Sequence, residues 1–520
     1  SHVPFYSTID GVNKQCSYND NENLYVWNFI NSKWDDSNYC KIPLNTDSSS
    51  SVNALPKSVF ILPTNYDTDA EMLGLENSNS SNGIVGGVIL VENTADATYL
   101  VYYEDMRSIN HLSTSISKNM AHLLDLKLHS EEKVTLMLNS EPAGLVLATT
   151  EGRLMFITIR ETNGKPCLTL KQQLIRPKGS GPLAFLSLFS SSNEIISLRN
   201  GPIIGKGERI VYVLTRNGRF QVWKLSVASK CVKMMDTNFY DSILDDLVEL
   251  YPFAQGSLKI LDTHPITNQP FSPQVVLTQI SSSDETNFIL STIILDEQTN
   301  SFTIFSTYRL NTYIMKGNSA LAKPKLCVPS SLQSATSKYF DLFIVFDKAV
   351  VITQTSSKLD STYTLKRKWE DIISFNKEIQ ILAESNDAST VYLLTKGMGI
   401  ISIIPKKERG ETAYEESFVK SHLDQAIYFS SSSSNPVEFN LPGGLHLEQD
   451  EVENDLKTAS EEILLSSSKY IPPLTDNIEK HLSLRLVYFR NLISFVKDNF
   501  AFSISPSKKL DIIENFELLN

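Results

Sequence analysis

The chain has only five cysteines in 520 residues, Cys16, Cys40, Cys167, Cys231 and Cys327. The number is odd, the spacing is wide, and no C-x-x-C pair occurs. Neither a disulfide framework nor a cysteine zinc site is expected, and the thiols read as reduced ones of an intracellular protein. No run of 18 apolar residues is present, so no segment is expected to span a membrane as a helix. No secretory signal opens the chain. It starts Ser-His-Val without a Met and ends at Glu517–Asn520 without a helix stop, as expected of a piece of a longer protein. Positive charge is also short: 47 Lys and Arg against 59 Asp and Glu give a net charge of −12. Such a chain is a poor general binder of nucleic acid or anionic lipid, both of which demand cations.

Catalytic signatures are missing as well. The eight histidines are scattered, with no H-E-x-x-H or H-x-H spacing, and neither G-x-S-x-G nor G-x-x-x-x-G-K-[ST] occurs. His264, before Pro265, reads as structural. Gly201–Gly207 (GPIIGKG) lacks the phosphate-loop spacing and reads as a turn. The acid pairs Asp35-Asp36 and Asp245-Asp246 read as solvated surface carboxylates. Lys366-Arg367-Lys368, with Tyr363 and Trp369, could touch phosphates, but strand alternation would divide these residues between two faces. No catalytic, metal or cofactor residue is assigned, and no small-molecule substrate or direct nucleic-acid contact is expected.

What the chain does have is apolar mass: 41% hydrophobic residues, with 25 Phe and 20 Tyr. Its length allows two or three domains, or one large repeat-built domain with an extension. From about residue 1 to 430 it reads as strands. A hairpin pattern recurs, clearest in Leu145–Ile159, Ile210–Leu225 and Val391–Ile404. Asn217-Gly218 makes a strong turn in the second, since both residues tolerate positive φ. Weaker copies lie at Asn23–Ile30, Val88–Tyr103, Phe288–Tyr308 and Val350–Trp369. The second strands begin near residues 24, 98, 154, 220, 302, 363 and 400, a mean step of about 60. Seven such units predict a mainly β fold, a seven-bladed β-propeller with long loops. The alternative is a stack of unrelated β-sandwiches, which would not produce the same series of aromatic-ended strands.

Asp47–Asn53 and Glu76–Gly83 read as exposed loops, and Ser430–Pro436 as the exit from the propeller. A short helix is expected at Asp241–Tyr251. After about residue 445 the period becomes helical, first at Leu447–Ser466. Pro472-Pro473 breaks it. Asp476 is then a plausible N-cap with Glu479 as its capping-box partner. Ile478, Leu482, Phe489, Leu492, Ile493, Val496 and Phe500 mark one face of a long helix, and Ser505-Pro506 opens another. The expected domains are a propeller over 1–435, a connector with a short helix over 436–474, and the beginning of an α-helical stack over 475–520.

One segment does not fit a β-rich domain. Gly179–Ile196, GSGPLAFLSLFSSSNEII, carries Leu183, Phe185, Leu186, Leu188 and Phe189 among serines, with Glu194 as its only charge. As a helix it has an oily face and an uncharged polar face, unlike an ordinary surface helix or a Lys/Arg-rich membrane helix. Burying five large apolar side chains yields roughly 8–12 kcal/mol, at about 1.5–3 each. Ordering a dozen residues costs a comparable amount, at about 1–2 kcal/mol per backbone. Near-balance predicts a segment that folds only where lipid packing admits it, so that it senses curvature or packing defects. Without cations it gains no electrostatic help from anionic lipid. The competing expectations are that it packs on the propeller rim as an ordinary loop, or docks a partner protein.

Ser140–Arg160, Ile196–Leu225, Leu250–Pro265, Asn300–Tyr313, Lys358–Phe375, Phe418–Ser430 and Ser467–Pro473 resemble, in order, the nucleoporin 133 family in its budding-yeast form. The resemblance implies a seven-bladed N-terminal propeller followed by an α-helical solenoid. It implies a non-enzymatic scaffold subunit of the Y-shaped outer-ring complex of the nuclear pore, located in the nuclear envelope and supporting mRNA and protein transport. Its partners would be other Y-complex nucleoporins, mainly through the helical region, and the curved pore membrane. That family carries a lipid-packing sensor in a propeller loop, and residues 181–195 fall where such a loop would lie. Leu183–Phe189 carries the proposal, and Ile195-Ile196 is assigned to the next blade.

Overall fold

The computed structural model describes residues 6–20, 22–29, 39–43, 58–61, 87–94, 96–104, 121–177, 193–317, 323–332, 339–356, 370–405, 418–431, 434–441, 445, 447–474, 476–501 and 503–520. These form seven antiparallel sheets whose strands follow one another in chain order. Sheet one runs from Tyr6–Asp10 to Tyr39–Pro43, sheet two from Ser58–Ile61 to His122–Asp125, and sheet three from Val134–Ser140 to Pro166–Ile175. Sheet four spans Ile195–Gly205 to Val232–Asn238, and sheet five Lys259–Pro265 to Ser301–Arg309. Sheet six starts at Lys325–Cys327, and sheet seven comprises Gln380–Asn386, Val391–Lys396 and Gly399–Ile403. The first strand of each sheet touches the first strands of its two neighbours, and Gln380–Asn386 returns to Tyr6–Asp10. The ring therefore closes as a seven-bladed β-propeller.

Burial explains the strand sequences. A second strand lies between two neighbouring blades and is covered on both faces, so Gly144–Thr149 is buried throughout. The outermost strand Pro166–Ile175 is half-solvated and admits Thr, Lys and Gln. Each junction between adjacent blades has its own apolar cluster. Tyr212, Phe220, Phe239 and Ile289 help fill the one between sheets four and five. Ile9, Cys16, Ala383 and Leu394 fill the one that closes the ring.

At that seam no strand is exchanged between the chain's two ends among the described residues. Polar contacts support the small cluster instead. Lys14 Nζ lies 2.5 Å from Asp387 and over the ring of Tyr392, and the Gly11 N–H donates to Ser385 at 2.9 Å. A Cβ on Gly11 would sit 2.6 Å from the Asn386 carbonyl carbon, so this approach requires glycine.

The hairpins at 145–159, 210–225 and 391–404 form as the pattern predicts. At Asn217-Gly218 only Gly218 takes a positive φ, +89°, and its N–H bonds Thr215 O. Asn217 instead turns its side chain onto the Thr215 hydroxyl. Ala349–Ser356 pairs with Glu370–Phe375, whereas the expected strand near 363 lies outside the described residues. Two acids can open that strand because Glu370 accepts from Tyr308 and from the Asn311 and Thr312 amides. Gly201–Gly205 is strand and not turn; a register shift between Asn200 and Ile203 accommodates Pro202, leaving Lys206-Gly207 to turn.

The strand-rich stretch ends earlier than 430, because Phe418–Phe429 is a helix. Val419, Leu423, Ala426 and Ile427 have helical spacing, but the buried Lys420, His422 and Asp424 interrupt the apolar pattern. Lys420 is held by Asp424 at 2.9 Å and Glu462 at 2.8 Å. This helix shares one core with Gln449–Leu464, Ile478–Phe500 and Pro506–Leu519. Asn477, not Asp476, caps the long helix, accepting from the Lys480 N–H at 2.9 Å. Ile478 is exposed there, and His481 takes the buried place of the first turn, facing Pro472 O. Ser505 and Pro506 open the last helix as expected, and the short helix of sheets four to five is Tyr240–Val248, with Asp245 and Asp246 exposed on it.

The chain also returns to blade six after completing blade seven. Ser421 and His422 bond Asp371 at 2.8 and 3.1 Å, and Val437–Glu438 pairs with the outer strand Glu370–Phe375.

Candidate functional site

Leu183, Phe185, Leu186, Leu188 and Phe189 lie outside the described residues, as do Asp35-Asp36 and Lys366-Arg367-Lys368 with Tyr363 and Trp369. The attachment points of the apolar segment are described. It joins the outermost strand of sheet three, ending at Ile175, to the innermost strand of sheet four, beginning at Ile195. Ile195-Ile196 belongs to the next blade, as the sequence predicted.

The exit of the segment is firmly held. Asn193 accepts from the Asn217 side chain at 3.0 Å, and the Arg216 N–H bonds Glu194 O at 2.8 Å. Glu194, the only charge of the apolar stretch, faces Arg216 Nε at 2.9 Å. Gly152, in the facing turn of blade three, comes so close that a Cβ would lie 2.8 Å from Asn193 O; its φ of +75° also favours glycine. The segment thus leaves from a junction gripped by turns of two blades.

The ring of first strands brings together ionisable groups that the sequence scatters. Arg199 of sheet four lies 2.5 Å from Asp262 of sheet five and also bonds Thr263 O and Leu326 O. Asp262 accepts from the Leu326 N–H at 2.9 Å. Burial would raise its pKa, but Arg199 outweighs that and holds the carboxyl below its usual range. Burial, reinforced by Arg199, drives His264 down to about 3, so it is neutral and bonds Pro265 O at 2.7 Å. Burial pushes the Cys327 thiol upward, away from a nucleophilic thiolate. Glu384 of sheet seven is pushed up to about 7 by burial, which Lys325 and Arg199 partly offset. A locked ion pair, a neutral histidine and a protonated thiol tie neighbouring blades; they do not form an activated nucleophile with a base. Spacing could not reveal this cluster, because its members sit on four strands from Arg199 to Glu384.

Among the described residues His129, Glu132 and Glu151 place three potential metal ligands together. Glu132, however, already receives Arg153 at 2.8 and 2.9 Å and the Thr149 hydroxyl at 2.6 Å. A guanidinium fills the electrostatic role that a cation would take, so these residues form an ion-pair network. Among the described residues no helix is long and apolar enough to cross a membrane.

The fold and its side chains define a β-propeller joined to a helical core. The family model described as "Nup133 N terminal like" matches residues 1–402. Nucleoporin NUP133 of Saccharomyces cerevisiae is 43% identical over 98% of this chain and 44% of its own length. Nucleoporin NUP133 of Chaetomium thermophilum is 24% identical over 71% of this chain and 31% of its own. The solved Nup133 beta-propeller domain of Vanderwaltozyma polyspora superposes with a TM-score of 0.62 at 38% identity, covering 76% of this chain and 93% of that one. The chain belongs to the Nup133 N-terminal family of nucleoporins, which places it at the nuclear pore complex. It spans less than half the length of these curated relatives.

Proposed function

We propose that this chain is the N-terminal part of a non-enzymatic scaffold subunit of the nuclear pore's Y-shaped outer-ring complex, and that Leu183–Phe189 contacts the curved pore membrane. In this role it supports mRNA and protein transport structurally, without handling either cargo. The observation that carries the membrane reading is the pairing of an uncharged apolar segment with a tightly held exit. Its anchors at Asn193 and Glu194 are spoken for by Asn217 and Arg216, and its own residues offer lipid five large apolar side chains.

The helices are the start of an α-helical stack that carries most contacts with other Y-complex nucleoporins. Supporting this, Leu510, Ile513 and Leu518 are exposed on the last helix, a face suited to further helical packing. The functional units are the propeller and a helical stack whose shared core already includes Phe418–Phe429 and Gln449–Leu464, so the stack begins earlier than the expected boundary at 475 and, among the described residues, no separate connector stands between them.

Flotation with neutral vesicles of two sizes tests the membrane contact. The chain should bind small vesicles more strongly than large ones, and Phe185→Asp with Leu186→Asp should abolish binding. Absent or size-independent binding, or no loss in the variant, overturns the membrane reading. Loss of a pore subunit in pull-downs by the same variant, with no vesicle binding to begin with, would assign the segment to a protein partner.

A further inference from the structure

We propose that the groove between blades three and four binds the phosphate-bearing headgroup of an anionic lipid, beside the membrane contact of Leu183–Phe189. The proposal rests on the membrane reading above and adds a chemical preference to it. The groove is an open one of about 930 Å³ against the outer strands of the two blades. Arg176 of blade three and Lys230 and Lys233 of blade four line it together with Trp223, and no acidic side chain is among its described lining residues. In a chain with a net charge of −12 this is a local reversal of sign.

The cations are available. Arg176 and Lys230 form no ion pair among the described residues, and both are exposed. Lys233 lies 2.6 Å from Asp236, but Arg219 engages the same carboxylate at 2.6 Å. Lys171 pairs with no acid among the described residues and donates to the Ser226 and Val227 carbonyls. The walls are fixed: the Cys231 N–H donates to Gln172 across the junction at 3.0 Å, and Trp223 Nε1 is held by Gln221 at 2.8 Å. An arginine fork and a lysine lining one partly apolar groove suit a phosphate monoester on a ring-sized headgroup, such as an inositol phosphate.

Chain geometry joins this groove to the apolar segment. Leu183 follows Arg176 by seven residues. At about 3.4 Å per residue it stays within about 24 Å of the groove's mouth. A tether this short allows one membrane surface to meet both Leu183–Phe189 and Arg176. Two weak contacts on one surface reinforce each other through high effective concentration. The apolar segment lacks cations, and the groove supplies the electrostatic attraction that it lacks.

The test is flotation of the full chain with small vesicles of one size, made of phosphatidylcholine alone or with a minor share of phosphatidylinositol 4-phosphate. Binding should be stronger on the anionic vesicles, and the increment should shrink with salt. Arg176→Gln with Lys230→Gln should weaken partitioning onto the anionic vesicles about thirtyfold at low salt, at about 1 kcal/mol per basic residue. It should leave binding to neutral vesicles unchanged. Phe185→Ser with Leu186→Ser should do the converse, removing neutral binding while keeping the salt-sensitive increment. No anionic increment, or an increment untouched by the Gln pair, overturns the groove proposal while leaving the apolar contact standing. Binding of soluble inositol phosphate alone, with no preference between the vesicles, would place a phosphate site away from the membrane and also overturn it.

Discussion

Replacing Asp387 by Asn should loosen the propeller at one junction only. Asp387 accepts from Lys14 Nζ at 2.5 Å, the Ser389 and Thr390 amides at 2.8 and 2.7 Å, and the Tyr392 hydroxyl at 2.8 Å. Burial would raise its pKa, but these donors outweigh it and hold the carboxyl at about 2. Against the ordinary value of 3.8, and at 1.36 kcal/mol per pH unit, the charged form contributes about 2 kcal/mol. Since the folded value is the lower one, that contribution is complete above pH 4. It fades as pH falls through the range between the two values. An amide at this position turns a donor toward Lys14 and Tyr392. Hydrogen exchange resolved by peptide mass spectrometry reads the outcome. At pH 7 the amides of Gln380–Asn386 and Tyr6–Asp10 should exchange about thirtyfold faster in the variant, with blades three and four unchanged. Near pH 2 the two proteins should converge. A difference spread evenly over all blades, or one that persists undiminished in acid, would refute the idea that this ion pair holds the seam.

Two other substitutions follow from close contacts. Glu132→Gln leaves the buried Arg153 without its carboxylate and should cost about 3–5 kcal/mol in chemical denaturation; adding Arg153→Met should restore most of it. Gly218→Ala forces a side chain onto a backbone at φ +89° and within 2.8 Å of Tyr240. It should destabilise by about 1–2 kcal/mol or more, seen first as faster exchange in the Glu208–Thr215 and Arg219–Ser226 hairpin.

The propeller was legible in sequence wherever a blade's middle strands are adjacent in the chain. Leu145–Ile159 and Ile210–Leu225 are short-range hairpins with continuous apolar strands, and the chain displays them directly. Phe418–Phe429 was not legible, because Lys420, His422 and Asp424 are buried on what looks like a polar face and find partners in Glu462 and Asp371. The same holds for Glu370 and Asp371 at the head of a strand: long-range partners neutralise the residues that local pattern takes as solvent-facing. Ile175 and Ile195 bracket the apolar segment as the pattern indicated, whereas the charged ring around Arg199 and the groove at Arg176 depend on blade-to-blade contacts that no local window contains.

The chain's return to blade six has a consequence for how the ring is made. All seven sheets have their described first strands in place by Gln380–Asn386, and the last described strand of sheet seven ends at Ile403. The contacts that follow, Ser421 and His422 on Asp371 and Val437–Glu438 on the outer edge of sheet six, come from chain made later. Blade seven is thus bracketed by two visits of the chain to blade six. As the protein emerges from the ribosome, the ring can close on its small seam of Ile9, Cys16, Ala383 and Leu394. It is clasped only once residue 438 has arrived. The first helix of the helical core and the Val437–Glu438 strand after it therefore fasten the propeller last, and a chain cut between 405 and 418 would leave a closed ring without its clasp.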